Sequence, residues 1–213
     1  MTKTLYGLYA ITDEQLMPVS EFKAMAEAAL SSGVKIIQYR DKSDDNDKRL
    51  SQASALRSLC DLYNATLIIN DDIELTLQTN ADGVHIGQDD LSIEEARQRL
   101  GPNKIIGVSC YNNTCLAEKA IENGADYIAF GSFFGSTIKP DAPKAEIHLI
   151  SSIKNNHTIP VCCIGGITID NCNKLLSEKA DMLAVISELF SSRNVNDIKN
   201  KCSQFMQAFN ASA

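Results

Sequence analysis

Val34-Lys35-Ile36-Ile37-Gln38-Tyr39-Arg40-Asp41-Lys42 is an apolar, β-prone run that closes with Gln38, Arg40 and Lys42 at every second position. Side chains alternate between the two faces of a strand, so these three share one face of an extended segment. Two cations and an amide at the end of a buried strand do not suit ordinary core. They suit an anion, most simply a phosphate or pyrophosphate gripped by Arg and Lys.

Outward from this run the chain repeats one rhythm. A first strand is expected over Leu5 to Thr12, followed by a helix from Val19 to Leu30 with Phe22, Met25, Ala26 and Leu30 at helical spacing. Gly33 ends that helix and the Val34 to Arg40 strand follows. A charged turn from Asp41 to Asp47 leads into a helix ending near Tyr63 that carries Leu50, Ala53, Leu56, Leu59 and Cys60. Further short apolar runs occupy Thr66 to Asn70, Gly83 to Ile86, Ile105 to Ser109, Tyr127 to Phe130, Ile159 to Ile164 and Met182 to Ile186, which makes eight with the first two. The last helix, roughly Val195 to Phe209, shows Ile198, Cys202, Phe205, Met206 and Phe209 on one stripe. Continuous apolar strands alternating with amphipathic helices imply a parallel sheet covered by helices, because such a sheet is buried on both faces. Eight units favour a closed α/β (β/α)8 TIM barrel, one catalytic domain over residues 1–213. A doubly wound open sheet is the alternative. It usually offers fewer strands and a glycine-rich first turn, where this chain has Thr12-Asp13-Glu14-Gln15. Beyond the β-α rhythm no internal repeat is visible.

Composition narrows the function. The chain has 213 residues, 44% of them hydrophobic, with 20 basic and 27 acidic residues for a net charge of −7. No basic cluster interleaves with aromatics, so nucleic acid is not an expected partner. No apolar run approaches the length of a membrane span and no leader-like segment opens the chain, so no membrane association is expected. The seven cysteines are odd in number and lack CxxC or zinc-ligand spacing. They read as reduced thiols in a cytoplasmic protein. Homo-oligomer formation is left open.

In a barrel of this kind chemistry collects where strands end, so the polar residues that close each run are the candidates. Strand three ends in Asn70-Asp71, strand four runs into Gly87-Gln88-Asp89-Asp90, strand five ends in Ser109, and Ser136-Thr137-Ile138-Lys139 follows strand six. Asp71 and Asp90, with an adjacent amide, suit a hard cation such as Mg²⁺ completed by water and phosphate oxygens. Helix capping is the plainer reading of such residues, and it is the one expected for Asp72 and Asp89. Gly165-Gly166 and Ile186-Ser187 sit after strands seven and eight, the common barrel phosphate site, although a tight turn alone would also ask for glycine. His85 lies inside strand four and reads as a supporting residue rather than a ligand. His148 and His157 look peripheral, and no cysteine has an evident base beside it.

Taken in order, Gln38-Tyr39-Arg40-Asp41-Lys42, Ile69-Asn70-Asp71, Gly83-Val84-His85-Ile86-Gly87-Gln88-Asp89-Asp90-Leu91, Ile106-Gly107-Val108-Ser109, Ile164-Gly165-Gly166-Ile167 and Ala184-Val185-Ile186-Ser187 resemble the successive motifs of the thiamine-phosphate synthase family. The resemblance runs nearly the full chain. It implies a (β/α)8 barrel transferase that joins hydroxymethylpyrimidine diphosphate to a thiazole phosphate with Mg²⁺, releasing pyrophosphate. It further implies that Gln38, Tyr39, Arg40, Asp41, Lys42, Asn70, Ser109 and Lys139 form the pyrimidine diphosphate site, with Arg40, Lys42, Ser109 and Lys139 as its catalytic members. Asp71 and Asp90 would bind Mg²⁺, and Ser136, Thr137, Ile138, Gly166, Ile186 and Ser187 would hold the thiazole phosphate. One departure is visible. The family loop usually reads Pro-Thr-x-Thr-Lys, whereas Gly135-Ser136-Thr137-Ile138-Lys139 lacks the proline and has Ile138 where a second hydroxyl is expected. The rival readings are a thiazole tautomerase-like isomerase, a sugar-phosphate aldolase or epimerase, and a non-catalytic thiamine-precursor binding protein. The first has no use for the strand-two cations or the carboxylate pair, and an aldolase would want its Schiff-base lysine within a strand, whereas Lys139 falls in a loop.

Overall fold

The order of elements follows the expected alternation closely. The computed structural model describes residues 5–135 and 144–212. Its strands are β1 (Gly7–Ile11), β2 (Ile36–Tyr39), β3 (Thr66–Asn70), β4 (Gly83–Ile86), β5 (Ile105–Tyr111), β6 (Tyr127–Phe130), β7 (Val161–Ile164) and β8 (Met182–Val185). The helices among the described residues are α1 (Phe22–Ser31), α2 (Asn46–Tyr63), α3 (Ile73–Gln78), α4 (Ile93–Leu100), α5 (Thr114–Glu122), α6 (His148–Lys154), α7 (Asn173–Leu176), α8 (Ser187–Phe190) and α9 (Val195–Ser212). Neighbouring strands pair in parallel in sequence order and β8 pairs back onto β1, so the sheet closes into a (β/α)8 barrel. No helix among the described residues is long and apolar enough to cross a membrane.

Strand alternation divides the core in two. Tyr9, Ile11, Ile36, Ile68, Tyr127, Ala129, Cys162, Met182 and Ala184 form one buried set inside the barrel. Their strand neighbours, among them Leu8, Ala10, Ile37, Tyr39, Leu67, Ile69 and Ile128, pack outward with the helices. Inside a barrel this narrow, large and small residues must oppose one another. At Gly107, which pairs with Tyr127, a Cβ would sit 2.0 Å from the tyrosine ring.

The amino ends of the strands carry an internal repeat that was not evident in the sequence. Gly33, Asn80, Gly124 and Lys179 all have positive φ, between 49° and 99°. After each, the next amide donates to the carbonyl five residues back: Val34 to Ala29, Ala81 to Thr76, Ala125 to Ala120 and Ala180 to Leu175. This is a left-handed helix ending of the Schellman type, and it delivers the chain into β2, β4, β6 and β8; Asn64, with φ of 49° and Ala65 donating to Cys60, makes the same ending before β3. In three of the four units an aspartate follows. Asp82, Asp126 and Asp181 accept from the amides of Leu67, Ile106 and Val161 at 2.7–2.8 Å. Each also pairs with a cation from the preceding even-numbered helix or its partner: Arg57, Arg97 and Lys154, at 2.7–2.9 Å. Each carboxylate therefore joins two adjacent strands and a helix. The unit escaped notice because it is three residues long, and its first member is Gly, Asn or Lys, which share a backbone conformation and not a side-chain type.

Several helix starts are set by side-chain caps. Asp45 accepts from the Lys48 amide, Asp72 from Leu75 and Asn113 from Cys115, while Ser92 and Glu95 form a reciprocal capping box. Asp72 is the cap it was expected to be. Asp89 is not: Ser92, with Glu95 three residues on, takes that position at α4. The first helix begins at Phe22 rather than Val19, after a turn in which Glu21 donates to the Pro18 carbonyl.

The joint at Asp181 gives a stability test. Asp181→Ala would strand the Val161 amide and the Lys154 ammonium together. We expect a loss of about 1–3 kcal/mol in urea unfolding, the usual cost of a buried amide left without its acceptor. A variant as stable as wild type would show that the carboxylate does not hold β7 to β8.

Candidate active site

The residues that close the strands meet at one end of the barrel around a cavity of about 170 Å³. Gln38, Arg40, Asn70, His85 and Ser109 line one side, and Gly165, Gly166, Ile186 and Ser187 the other. The convergence of Gln38, Arg40 and Asn70 follows from parity: each lies an even number of residues along its strand from an inward core residue, Ile36 for Gln38 and Arg40 and Ile68 for Asn70. A closed space of about 150 Å³ accommodates a benzene-sized molecule. This well, which opens at the mouth of the barrel, therefore has room for a six-membered ring.

Beside the well lies a wider, charged shelf of about 420 Å³, lined by Lys42, Ser43, Arg49, Asp71 and Asp72 among others. Asn70 borders both spaces. Lys42 Nζ stands 2.5 Å from Asp71 Oδ2, and Asn70 Nδ2 donates to the same oxygen at 2.5 Å. Asp71 has φ of 61°, a conformation that costs a residue other than glycine free energy and that recurs at functional sites. Asp90 accepts from the Gly87 amide at 2.7 Å. Partial desolvation and the neighbouring Asp71 carboxylate push the Asp90 carboxyl above its ordinary range, against the opposing pull of Gly87 and Lys42. Two carboxylates that disfavour each other's charge, with an amide beside them and an ammonium already on one, form a hard-oxygen site short of positive charge. That donor set fits Mg²⁺, which commonly takes one or two protein carboxylates and fills its remaining positions with water and phosphate. Among the described residues no group of three or more His, Cys, Asp or Glu is arranged to hold a metal ion.

Arg40 is held at the mouth by charge and by backbone. Its guanidinium lies 3.6 Å from Asp13 and 3.9 Å from Glu14, both in the loop after β1. Thr12 Oγ1 accepts from the Arg40 amide at 2.8 Å. Two members of the expected substrate set lie outside the lining of the well. Tyr39, next to Arg40, has the opposite parity; it packs edge-on against Phe22 and donates to Gln52 at 3.0 Å in the helix layer. Asp41 turns its carboxylate inward. Burial opposes its ionisation, but Lys48 at 2.6 Å and Ser43 outweigh that and hold its carboxyl below the usual range. Tyr39 and Asp41 thus brace the strand end; neither lines the well, but Asp41 lines the shelf beside it. Ser136, Thr137, Ile138 and Lys139 lie outside the described residues.

The floor of the well is polar, and its tyrosines were not anticipated. Gln38 Nε2 donates to Tyr9 Oη at 2.8 Å, the Tyr9 and Tyr127 hydroxyls are 2.9 Å apart, Tyr127 Oη meets His85 Nδ1 at 2.9 Å, and His85 Nε2 meets Ser109 Oγ at 2.9 Å. Burial raises the pKa of both phenols, so they stay protonated. Tyr9 and Tyr127 could have been found by strand parity, since both occupy inward positions where a hydroxyl needs a partner. His85 is the supporting residue it was expected to be. Cys162 also faces the well, but burial pushes its thiol upward, away from the thiolate a nucleophile needs.

A ring-sized well opening onto a charged shelf at the carboxyl ends of barrel strands defines a (β/α)8 barrel enzyme. A family model described as thiamine monophosphate synthase matches residues 8–189. A curated thiamine-phosphate synthase from Saccharophagus degradans is 47% identical over 203 residues, covering 95% of this chain and 93% of its own. The solved thiamine phosphate pyrophosphorylase from Pyrococcus furiosus superposes with a TM-score of 0.87 at 32% identity, covering 99% of this chain and 98% of that one. The (S)-3-O-geranylgeranylglyceryl phosphate synthase from Thermoplasma acidophilum, at TM-score 0.72 and 16% identity over 99% and 100% of the two chains, shares the fold alone. The chain belongs to the thiamine monophosphate synthase family, and its activity is that of a thiamine-phosphate synthase, a transferase.

The carboxylate pair makes a directional stability prediction. A carboxyl whose folded pKa is raised weakens the fold as pH rises through that pKa, because the folded state then gives up a proton it holds more tightly than the unfolded chain does. Asp90→Asn keeps an oxygen for the Gly87 amide and removes the charge. The metal-free variant should therefore melt at or above wild type at neutral pH, with the gap closing below about pH 4, where the unfolded-state carboxyl also protonates. A metal-free variant that melts below wild type at neutral pH would contradict this.

Proposed function

We propose that the ring-sized well receives the pyrimidine of hydroxymethylpyrimidine diphosphate, that its diphosphate lies on the charged shelf with Mg²⁺ at Asp71 and Asp90, and that a thiazole phosphate binds toward Gly166, Ile186 and Ser187. The observation that carries this reading is the meeting, at Asn70, of a well with room for a ring and a shelf bearing Lys42 and Asp71, the carboxylate that Asp90 neighbours. Arg40 sits between a ring in the well and a diphosphate on the shelf. Seven free cysteines fit a reducing, cytoplasmic setting.

In this reading the bond between the pyrimidine methylene carbon and the diphosphate oxygen breaks first, and the departing pyrophosphate keeps the bonding electrons. The thiazole nitrogen lone pair then closes onto the carbocation, giving thiamine phosphate. No side chain has to take or give a proton. Bound Mg²⁺ would supply neutralisation of charge on the diphosphate. Arg40 and Lys42 leave Asp13, Glu14 and Asp71 for phosphate oxygens, and Lys139 is assigned the same task. Gln38 and Ser109 orient the ring from the floor, and the apolar walls formed by Ile11, Ala129 and Ile164 keep water from the cation. Positioning and charge stabilisation account for the catalysis. Ser136, Thr137 and Ile138 are assigned to the thiazole phosphate, with backbone donors in place of the hydroxyl that Ile138 lacks.

The test is to incubate purified protein with both precursors. Thiamine phosphate and pyrophosphate should form in equal amounts with Mg²⁺, stop forming on chelation and resume when Mg²⁺ is returned. Arg40→Ala should lower kcat on the order of 10²-fold, as expected for loss of a preorganised charged donor. Turnover that persists at full rate after chelation would remove the metal from the reading, and an Arg40→Ala enzyme with wild-type kcat would remove the leaving-group assignment.

A further inference from the structure

Gln38 and Ser109 stand on the same side of the well, three strands apart on β2 and β5, and one unbroken set of hydrogen bonds joins them through Tyr9, Tyr127 and His85. Each hydroxyl has a single hydrogen, so the direction chosen at one link is imposed on the next. Gln38 Nε2 donates to Tyr9. The Tyr9 hydrogen then goes to Tyr127, the Tyr127 hydrogen to His85 Nδ1, and the His85 proton sits on Nε2, facing Ser109 Oγ. Were His85 doubly protonated, Tyr127 would have to donate to Tyr9. The Tyr9 hydroxyl, 1% exposed, would then hold a hydrogen without an acceptor among its partners Gln38 and Tyr127.

We propose that Tyr9, Tyr127 and His85 are positioning residues that fix the hydrogen-bonding character of the two residues relative to each other: Gln38 shows the well its carbonyl oxygen, Ser109 shows the well its O–H, and His85 is the neutral Nε2–H tautomer. A ring that fits has a donor facing β2 and an acceptor facing β5. An amine beside a ring nitrogen has that order, and a ring carbonyl beside a ring N–H has it reversed. The well therefore selects an amino-substituted azine over its oxo counterpart. The identity of the ring rests on the function proposed above; the coupling of the two residues does not.

Two substitutions cut the chain at different links and leave the rings in place. Tyr127→Phe still fills the space beside Gly107 but removes the hydroxyl whose hydrogen His85 Nδ1 accepts. Tyr9→Phe removes the partner of Gln38 and leaves the Tyr127–His85 link whole. Nitrogen-15 NMR of the wild-type protein at neutral pH, with the His85 signals assigned through their loss in His85→Asn, should show one neutral tautomer with the proton on Nε2. Tyr127→Phe should give a mixture of tautomers, and Tyr9→Phe should retain the wild-type one. Both variants should raise KM for the pyrimidine diphosphate about tenfold while KM for the thiazole phosphate stays within about twofold, the scale expected for one hydrogen bond to one substrate. An imidazolium or an Nδ1–H ring in the wild type, an unchanged tautomer in Tyr127→Phe, or equal rises in both KM values would each overturn the proposal. If the wild type forms no product from these precursors, the substrate reading fails, and the tautomer measurements still decide the coupling.

Discussion

A slip of one residue in any strand of a closed parallel barrel would exchange its inward and outward side chains, replacing Gln38 and Arg40 at the mouth with Tyr39 and Asp41. The register that prevents this is fixed at the opposite end of the barrel. Four left-handed helix endings deliver the chain into the even strands at equivalent points, and Asp82, Asp126 and Asp181 tie three of those entries to the preceding odd strand and to a helix. A strand of four or five residues is about 15 Å long, and it carries a constraint set at its base to the mouth with little slack. The amino face thus does structural work while the carboxyl face is left to chemistry, the division expected of this architecture.

That division leaves the mouth with little hydrophobic support and much charge. Lys42 on Asp71, Arg40 near Asp13 and Glu14, and Arg49 on Asp72 mean that cations meant for an anion are already partnered. A chain with net charge −7 cannot rely on its overall field to attract a diphosphate. It presents cations whose present partners are carboxylates, so an incoming diphosphate exchanges one anion for another and leaves no bare guanidinium in the interval. In the proposed function the carboxylates released by that exchange include Asp71, which Mg²⁺ would then engage together with Asp90. The exchange links anion binding to cation binding through Lys42, and the backbone strain at Asp71 is a cost the fold bears for it.

The fold was legible because its signal is local. The runs at Thr66–Asn70, Gly83–Ile86 and Tyr127–Phe130 were recognised to the residue, since an apolar segment bounded by polar ones announces its own ends. Gln38, Arg40, Asn70 and Ser109 were legible for a related reason: parity from an apolar strand says which face a terminal polar residue takes. Tyr39 shows the limit of reading a motif as a block, because adjacent residues in a strand face opposite ways and only alternate ones reach the well, while Asp41, past the strand end, lines the shelf. The chain from Gln38 to Ser109 was not legible. Tyr9 and Tyr127 are 118 positions apart, and their contact depends on barrel closure and on the space that Gly107 leaves beside Tyr127. Asp89 failed as a cap because Ser92 with Glu95 offers two reciprocal hydrogen bonds, which outcompete a single aspartate three residues earlier.

A polar chain through the middle of a barrel core is costly unless every member is satisfied, since each orphaned hydroxyl would cost about 1–3 kcal/mol. Apolar residues at Tyr9 and Tyr127 would avoid that risk and would pack the same volume. They would also leave Gln38 and Ser109 free to rotate independently, so that a ring could bind in either of two flipped poses. For a reaction that requires one methylene carbon to face the shelf, a flipped pose is unproductive. The chain removes that freedom before the ligand arrives, so the ordering cost falls on folding and not on binding. The hydroxyls at positions 9 and 127 are thus accounted for by the chemistry at the mouth, although neither residue lies at a strand's carboxyl end.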